Sequence, residues 1–449
     1  MTRGLAIISA ALFIWGIGEG LFWIYQPFYL TQLGADPVAI GFTLGAAGLV
    51  TLLTHAPAGH LSDSIGRKPM LVASWMLGLV SAMVMAFATE INMFIVGMLL
   101  YAVTGFVSSP LSSYATNARG TLSVARAFSI TSASFNTGMI LGTYAGGWIG
   151  EQFGLRTAFI IAAALFVPST LIVFFLPAQP TDAPHEHQNT PLALLLGNYP
   201  YQRLLGVGFL SLLALTLPIQ FTPKFLQDVH QLDLQQIGLL GSIGSLGNTL
   251  LMVGFGFLAP RLGFLLASLS MAITTLLFWR GQGLALFGLA YLLQGGNRAA
   301  RSMLMALIRP LVNPAGIGLA YGVAESALGA ANMLAPVLAG LLYAQNPGLM
   351  YPVAFAAILT TLFLFTRMPA HPEPAQCPSR SFLLFRALPT PMPTCWATPP
   401  PARPPSSTPR GMARRSLPQP NSAVGALPTC GTPMPISTIS AAPAPLPMP

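Results

Sequence analysis

Charged side chains are scarce in this chain. Only 7% of its 449 residues are charged, with 11 acids against 20 bases, and 53% are apolar. A soluble domain carries about a quarter charged residues, so this chain cannot cover a surface in water with polar groups. The mean hydropathy is +0.66. Several apolar runs reach the ~20 residues that a helix needs to cross a bilayer, which predicts an integral membrane protein.

Cysteines and cofactor-binding motifs are also scarce. Cys377, Cys395 and Cys430 lie beyond the last apolar run, and their spacing matches no metal-ligand pattern. Neither a phosphate-binding loop nor a nucleophile elbow appears. We therefore predict a protein that is not an enzyme, is not driven by ATP and holds no metal and no cofactor. Residues 1–369 carry 14 bases and 10 acids, and a net charge of +4 gives no nucleic-acid surface.

The apolar runs predict an all-α membrane protein. A backbone in lipid must satisfy its own hydrogen bonds, and the alternation typical of a barrel is missing. The first run carries Glu19, has no small-residue cleavage site and is too long for a signal peptide, so we interpret it as an uncleaved span. We count twelve transmembrane helices, at roughly 5–30, 38–58, 70–89, 92–113, 127–149, 157–177, 203–223, 236–258, 264–279, 284–306, 318–343 and 350–366.

The distribution of Lys and Arg predicts the orientation. The outer side holds only Arg156, Lys224 and Arg280 when the amino terminus is placed in the cytoplasm. Cytoplasmic loops carry an excess of bases, so both ends of the helical body are expected in the cytoplasm. The nine bases on the inner side are Arg3, Arg67, Lys68, Arg119, Arg126, Arg203, Arg261, Arg309 and Arg367.

The chain repeats itself at a near-constant offset. A shift of 197 residues lays Gly41 on Gly238, and a shift of 193 lays Gly147 on Gly340. Such an offset predicts two pseudo-symmetric six-helix halves. The expected domains are an N-terminal bundle at 1–177, a cytoplasmic linker at 178–200, a C-terminal bundle at 201–369 and a tail at 370–449.

The tail differs in composition from everything before it. Residues 370–449 contain 21 prolines in 80 residues and show no helical period. A segment this rich in proline cannot form regular hydrogen bonds or bury a core, so we expect a disordered tail. It is either an incidental extension, as a reading-frame shift would produce, or a docking segment for proline-recognising partners.

One connection between two apolar runs carries a dense motif. It reads Gly59-His60-Leu61-Ser62-Asp63-Ser64-Ile65-Gly66-Arg67-Lys68-Pro69. The segment resembles the loop between helices 2 and 3 of the major facilitator superfamily, G-x-L-[SA]-D-x-x-G-R-[KR]-P, at every position. The resemblance implies a twelve-helix transporter.

The same resemblance implies a conformational gate at this loop. Its expected residues are Gly59, Asp63, Gly66, Arg67 and Lys68. Asp63 precedes Arg67 by four residues, a spacing that permits a local ion pair. The family implies that Asp63 rests on the positive amino-terminal end of helix 11, near Ile317 and Gly318. The acid that relatives add near the inner end of helix 4 is missing from this chain.

Predicted helix 5 carries a second motif, in which Gly138, Gly142, Gly146 and Gly147 form a smooth face for close packing. The run is similar to the G-x-x-x-G-P-x-x-G-G of the family's antiporters, with Thr143 in place of proline. It is also explained by helix packing alone. The antiporter arginine pattern of helix 4 is absent. The balance favours export.

Ionisable groups inside predicted spans mark a functional interior, because a charge at the bilayer centre costs at least ~2.5–3.5 kcal/mol. They are Glu19, His55, Arg298, Arg301 and Glu325. His55, near the inner end of its helix, is interpreted as a packing or interface residue, and the alternative for Arg298 and Arg301 is that they extend to the inner interface. Glu19 and Arg298 lie ~18 Å and ~15 Å from the inner ends of their helices. The family places helices 1 and 10 on one central cavity, so the two can meet. Glu19, Glu325 and Arg298 are candidates for proton coupling, and a static Glu19–Arg298 ion pair is the alternative.

Aromatic and amide residues near Glu19 and Arg298 indicate a substrate cavity. The candidates are Trp15, Phe22, Trp23, Gln26, Gln294 and Asn297. An aromatic wall with a few polar points suits an amphipathic or apolar organic molecule.

These features predict a monomeric secondary transporter in the plasma membrane. It works by alternating access, with a small organic molecule, protons and the lipid bilayer as its partners, and it exports its substrate. The alternatives are a symporter or uniporter that takes up sugars or organic acids, and a receptor or sensor that keeps the fold without transport.

Overall fold

The protein is a bundle of α-helices joined by short turns. The structure, a computed structural model, describes residues 2–179, 195, 197–312 and 317–369, and at 55–64 and 125 only the backbone. The tail at 370–449 and most of the predicted linker lie outside these residues. The α-helices of the described residues are α1 (Arg3–Phe22), α2 (Gln26–Gln32), α3 (Pro37–Ile65), α4 (Arg67–Phe87), α5 (Ile91–Val103), α6 (Ser108–Asn117), α7 (Val124–Phe153), α8 (Leu155–Phe174), α9 (Tyr199–Thr216), α10 (Thr222–His230), α11 (Leu234–Gly256), α12 (Pro260–Arg280), α13 (Leu284–Leu293), α14 (Gly296–Ala306), α15 (Ile317–Gln345) and α16 (Met350–Thr366).

Local sequence explains where these helices begin and end. The Thr2 hydroxyl accepts a hydrogen bond from the backbone N–H of Leu5 at 3.3 Å and caps α1. Asp233 and Gln236 form a capping box at the start of α11. Gly66 separates α3 from α4 with a φ of 99°, a conformation that favours glycine.

Eight helical segments of the described chain are long and apolar enough to cross a membrane, and α16 is a shorter apolar helix. Two of these segments are interrupted by 3₁₀ turns, one between α1 and α2 and one between α5 and α6. The all-helical membrane fold is therefore confirmed, whereas the count of twelve spans is not. The predicted spans at 203–223 and 284–306 each divide into two shorter helices.

The two ends of the bundle are distinguished by their residues. We call the end that carries Thr2 the near end and the opposite end, with Gln32, the far end. The Thr2 hydroxyl donates a hydrogen bond to the carbonyl of Ala118 at the near end. At the far end, Tyr29 donates to the carbonyl of Ala88 at 3.5 Å.

Two helix pairs join the N-terminal and C-terminal parts of the bundle: α3 packs on α15, and α7 packs on α11. A Cβ atom added to Gly41 would lie 3.1 Å from the Cα of Gly340, and one added to Gly147 would lie 3.1 Å from the Cα of Gly238. The repeat in the sequence aligns Gly41 with Gly238 and Gly147 with Gly340. The repeat therefore relates the contact of Gly41 with Gly340 to the contact of Gly238 with Gly147, and the two contacts are equivalent.

Candidate functional site

A central cavity lies between these two parts of the bundle. Its volume is about 540 Å³, and its walls come from α1, α3 and α7 on one side and from α11, α14 and α15 on the other. Pockets of this size hold small organic molecules. Four of the ionisable residues inside the predicted spans come together here: Glu19, Arg298, Arg301 and Glu325.

On the N-terminal wall, Glu19 is part of a chain of hydrogen bonds. The Trp15 indole N–H donates to the Tyr101 hydroxyl oxygen at 3.2 Å, and the Tyr101 hydroxyl donates to Glu19 Oε2 at 2.9 Å. The Tyr101 ring is held edge-on against Phe22, with ring centroids 5.2 Å apart. The carboxylate is therefore positioned by a buried tyrosine, which can give up its hydrogen bond if the carboxylate takes a proton.

The C-terminal wall carries the basic groups. Arg298 and Arg301 both line the cavity, and Arg301 forms an ion pair with Glu325 of α15. Arg298 and Glu19 attract each other across the cavity. Among the described residues, ion pairs link Arg301 to Glu325 and Lys224 to Asp228, and Glu19 has no direct ionic contact with Arg298. The cavity thus separates one carboxylate from one guanidinium.

The predicted cavity residues divide into three groups. Trp23, Gln26, Gln294 and Asn297 line the central cavity with Glu19, Arg298 and Glu325. Trp15 lines a neighbouring chamber in the N-terminal half. Phe22 has no exposed surface and lies in the apolar core, where it supports Tyr101.

Sequence reasoning missed Tyr101 and a set of amides. Tyr101 carries no charge that would mark it within an apolar run. Amides in the middle of apolar runs are a signal comparable to buried charge. The missed amides of the cavity wall are Asn136, Gln220, Asn248 and Asn332.

Direct contacts between the halves close the cavity at the far end. Glu151 Oε2, at the end of α7, accepts a hydrogen bond from the backbone N–H of Leu234 at 2.9 Å. The Ser242 hydroxyl of α11 donates to the carbonyl of Ile140 at 2.8 Å. An added Cβ at Gly147 would lie 2.3 Å from the carbonyl oxygen of Leu234. Backbones this close leave no passage for a solute.

The same two helices lack such contacts toward the near end among the described residues. On α11, Gly254 and Gly256 have no described atom within 4 Å of an added Cβ. The same is true of Gly318 and Gly322 on α15. Glycines on these helices are thus in tight contact at the far end, whereas these four near-end glycines have no close neighbour in the described part of the chain.

The predicted gate lies at the near end, between α3 and α4. Gly66 makes the turn, and Arg67 is buried with its guanidinium donating to Gln179 Oε1 at 3.2 Å. Lys68 is half-buried at the start of α4. At Gly59, Asp63 and His55 the structure describes only the backbone. The expected contact of Asp63 with the start of the predicted eleventh span, which is α15 here, therefore stays a prediction.

The glycine face of α7 packs against α1. Added Cβ atoms at Gly138, Gly142 and Gly146 would lie 2.2, 2.0 and 2.6 Å from the carbonyl oxygens of Phe13, Ile17 and Leu21. The fourth glycine of the motif, Gly147, instead meets α11 across the interface. No cluster of three or more metal-ligating side chains occurs in the described part of the chain.

Comparison with known proteins places this geometry in a family. The sequence profile described as Major Facilitator Superfamily matches residues 8–279. The chain is 26% identical over 388 residues to the multidrug resistance protein MdtG of Proteus mirabilis (strain HI4320), covering 77% of this chain and 90% of that protein. It is 24% identical to multidrug resistance protein 2 of Bacillus subtilis (strain 168), covering 40% and 46%. In that second case the chain spans about half the length of its relative.

Solved structures show the same fold at low sequence identity. A variant of the nucleoside transporter NupG superposes with a TM-score of 0.73 at 17% identity, covering 82% of this chain and 100% of that one. The human organic anion transporter MFSD10 superposes with a TM-score of 0.58 at 20% identity, covering 81% and 99%.

Proposed function

Because the chain belongs to the major facilitator superfamily, we propose that it is a proton-coupled transporter that exports small amphipathic or apolar organic molecules by alternating access. The observation that carries this proposal is the central cavity, which direct contacts between its two walls close at the far end. Its two walls belong to opposite halves of the bundle. We infer that the near end admits solutes, and a rotation of the halves about the cavity would then open the far end and close the near end.

The proposed topology places the near end in the cytoplasm. The orientation prediction named twelve bases, and nine of them belong to this end. Cytoplasmic loops carry an excess of bases, so this end is the cytoplasmic one in the proposal. The helices outside the eight long apolar segments complete twelve spans in two six-helix halves, in a monomer of the plasma membrane. In this orientation we infer an inward-open state, which receives substrate from the cytoplasm.

Glu19 is the proposed proton carrier. As a carboxylate it accepts from Tyr101 and attracts Arg298; as a carboxylic acid it leaves Arg298 without its counter-charge. A change in the distance between the halves changes the electrostatic attraction that favours the charged form. The affinity of Glu19 for a proton therefore depends on the conformational state, which is the requirement for coupling.

The relatives support export. MdtG of Proteus mirabilis is named a multidrug resistance protein, and its alignment spans most of both chains. A second candidate, uptake of a polar solute such as a sugar or organic acid, is favoured by the amides of the cavity wall, including Asn248 and Asn332. Hydrogen-bonding groups of this kind orient polar ligands.

Transport in inverted membrane vesicles tests the proposal. We would measure a panel of drug-like and sugar-like compounds with and without a proton gradient. Glu19→Gln should abolish accumulation against a gradient while sparing downhill exchange, because glutamine keeps the size and hydrogen bonding of glutamate but carries no proton. Glu90→Gln, at an exposed acid of the far end, is the matched control. Unchanged gradient-driven accumulation in Glu19→Gln would refute the assignment and make Glu325 the next candidate.

A further inference from the structure

We propose that an apolar chamber in the N-terminal half binds the fused aromatic rings of the transported compound, while the central cavity binds its polar end. This inference rests on the proposed transport function. It assigns that function a substrate class, amphipathic molecules with a flat system of two or more fused rings.

The chamber, which we call the side chamber, has a volume of about 460 Å³ and is lined by residues of α1, α3, α4, α5, α6 and α7 and of the segment between α5 and α6. A pocket of this size accepts a drug-sized ring system. It adjoins the central cavity, and six residues line both compartments: Glu19, Trp23, Thr51, Tyr101, Ala102 and Phe135. In this proposal the two compartments are connected at these shared residues, so that one molecule occupies both.

Fixed aromatic rings form one wall of the side chamber. The Trp15 ring lies parallel to Phe166, with an interplanar angle of 3° and centroids 3.9 Å apart. The Trp75 indole N–H donates to Ser169 Oγ at 3.0 Å, and Ser169 donates to the carbonyl of Ala11 at 2.8 Å. These contacts hold both indoles in place. Trp15 and Trp75 are 8% and 3% exposed, so a small part of each fixed ring faces the chamber, where edge-to-face contact favours aromatic ligands over flexible alkyl chains.

Several polar groups of the side chamber already donate within the protein. Ser74 Oγ donates to the carbonyl of Thr104 at 3.3 Å, and Thr104 Oγ1 donates to the carbonyl of Tyr101 at 2.6 Å. Thr131 Oγ1 donates to the carbonyl of Phe128 at 3.0 Å. Glu19, at the junction with the central cavity, is the one charged residue among the described residues that line the chamber. Its interior therefore favours apolar rings.

The two compartments together orient a ligand. The central cavity offers two guanidinium groups, Arg298 and Arg301, and a set of amides, whereas the side chamber offers indole and phenyl rings. A molecule with a polar group at one end and fused rings at the other satisfies both only in one orientation. Glu19 and Tyr101 then lie beside the middle of the bound molecule, where binding and protonation affect each other.

The experiment compares three amides that share a head group and differ in ring number: benzamide, naphthalene-2-carboxamide and pyrene-1-carboxamide. Their binding to the purified full-length chain is measured by titration calorimetry. Ser112→Phe and Ser132→Phe place a ring in the side chamber from α6 and from α7, at two exposed serines of its lining. Ser109→Phe, at an exposed serine of α6 that lines neither compartment, is the matched control.

In the wild type, affinity should rise with ring number, and each filling variant should weaken pyrene-1-carboxamide by about tenfold, the effect of losing the burial of one or two rings. Benzamide binding and the Ser109→Phe control should be unchanged. Equal affinity of the wild type for all three amides would overturn the proposal. Undiminished affinity of both filling variants for pyrene-1-carboxamide would also overturn it. So would labelling of α6 by a photoreactive phospholipid that pyrene-1-carboxamide does not displace, because the side chamber would then hold lipid. The Glu19→Gln test does not depend on ring size. A failure of the proposed transport function can therefore be distinguished from a failure of the side-chamber proposal.

Discussion

Removing the Glu151 carboxylate should shift the protein toward the state that is open at the far end. Glu151 Oε2 accepts the backbone N–H of Leu234, the first residue of α11, at 2.9 Å. The N–H groups in the first turn of a helix lack partners within the helix, and the positive end of the helix dipole attracts an anion. This bond joins the two halves only when the far end is closed. Glu151→Ala therefore removes stabilisation from one state alone.

The magnitude follows from the kind of bond. Loss of a side-chain cap at a helix N-terminus costs about 0.5–2 kcal/mol, and Glu151 is exposed, so we take about 1 kcal/mol. That free energy changes the ratio of closed to open far ends by about fivefold. A far-open population of about 5% would thus rise to about 20% by the same relation.

Distances between spin labels measure this shift. Labels at Phe87 and Val229, which are 59% and 48% exposed, report separation at the far end. Labels at Phe175 and Phe257, 72% and 85% exposed, report the near end. The three native cysteines are replaced by serine; all lie outside the described helices. The far-end distance should lengthen in part of the population while the near-end distance shortens.

Asp233→Ala is the matched control, because Asp233 Oδ1 accepts the N–H of Gln236 at 2.7 Å and caps the same helix within its own half. It should leave both distance distributions unchanged. Identical distributions for Glu151→Ala and the wild type would refute the reasoning. A shift of equal size in Asp233→Ala would show that the stability of α11, and not the contact between halves, controls the equilibrium.

Two further predictions follow from the packing and from the gate. Gly142→Ala should destabilise the protein by about 1–3 kcal/mol, because its Cβ would lie 2.0 Å from the carbonyl oxygen of Ile17. Gly254→Ala should leave the stability unchanged, because no described atom lies within 4 Å of its added Cβ. Thermal unfolding in detergent measures both variants, and equal melting temperatures would contradict the close packing at Gly142. Asp63→Asn should insert normally but transport far more slowly in vesicles, since the gate loses its anion; a wild-type rate would show that this loop is only a turn.

Features carried by composition and by single residues were predictable. The scarcity of charge predicted a helical membrane protein. The internal repeat aligned Gly41 with Gly238 and Gly147 with Gly340, and these four glycines form the two equivalent contacts Gly41–Gly340 and Gly147–Gly238. Ionisable groups in apolar runs marked the cavity because charge in a membrane interior is costly. Each of these signals can be found without knowing which helices are neighbours.

Contacts between distant segments were not predictable. The hydrogen bond from Tyr101 to Glu19 joins residues 82 positions apart, and the bond from Leu234 to Glu151 joins residues 83 positions apart. Both depend on how each helix is rotated about its axis. In a soluble helix an apolar stripe shows that rotation, but a helix surrounded by lipid and by other helices is apolar on most faces. Phe22 and Trp15 could not be assigned to the core or to a chamber for the same reason.

By itself, the sequence determined that the chain enters a membrane as helices and that Glu19 and Arg298 belong to its interior. Solvation decides these properties, and solvation acts on each residue separately. Tertiary structure alone decided which end of the cavity is closed, that Tyr101 orients Glu19 and that a side chamber opens beside them. These properties depend on helix packing so close that a Cβ atom added to an interface glycine would lie within 3 Å of the neighbouring backbone, and that packing belongs to pairs of helices rather than to any one of them.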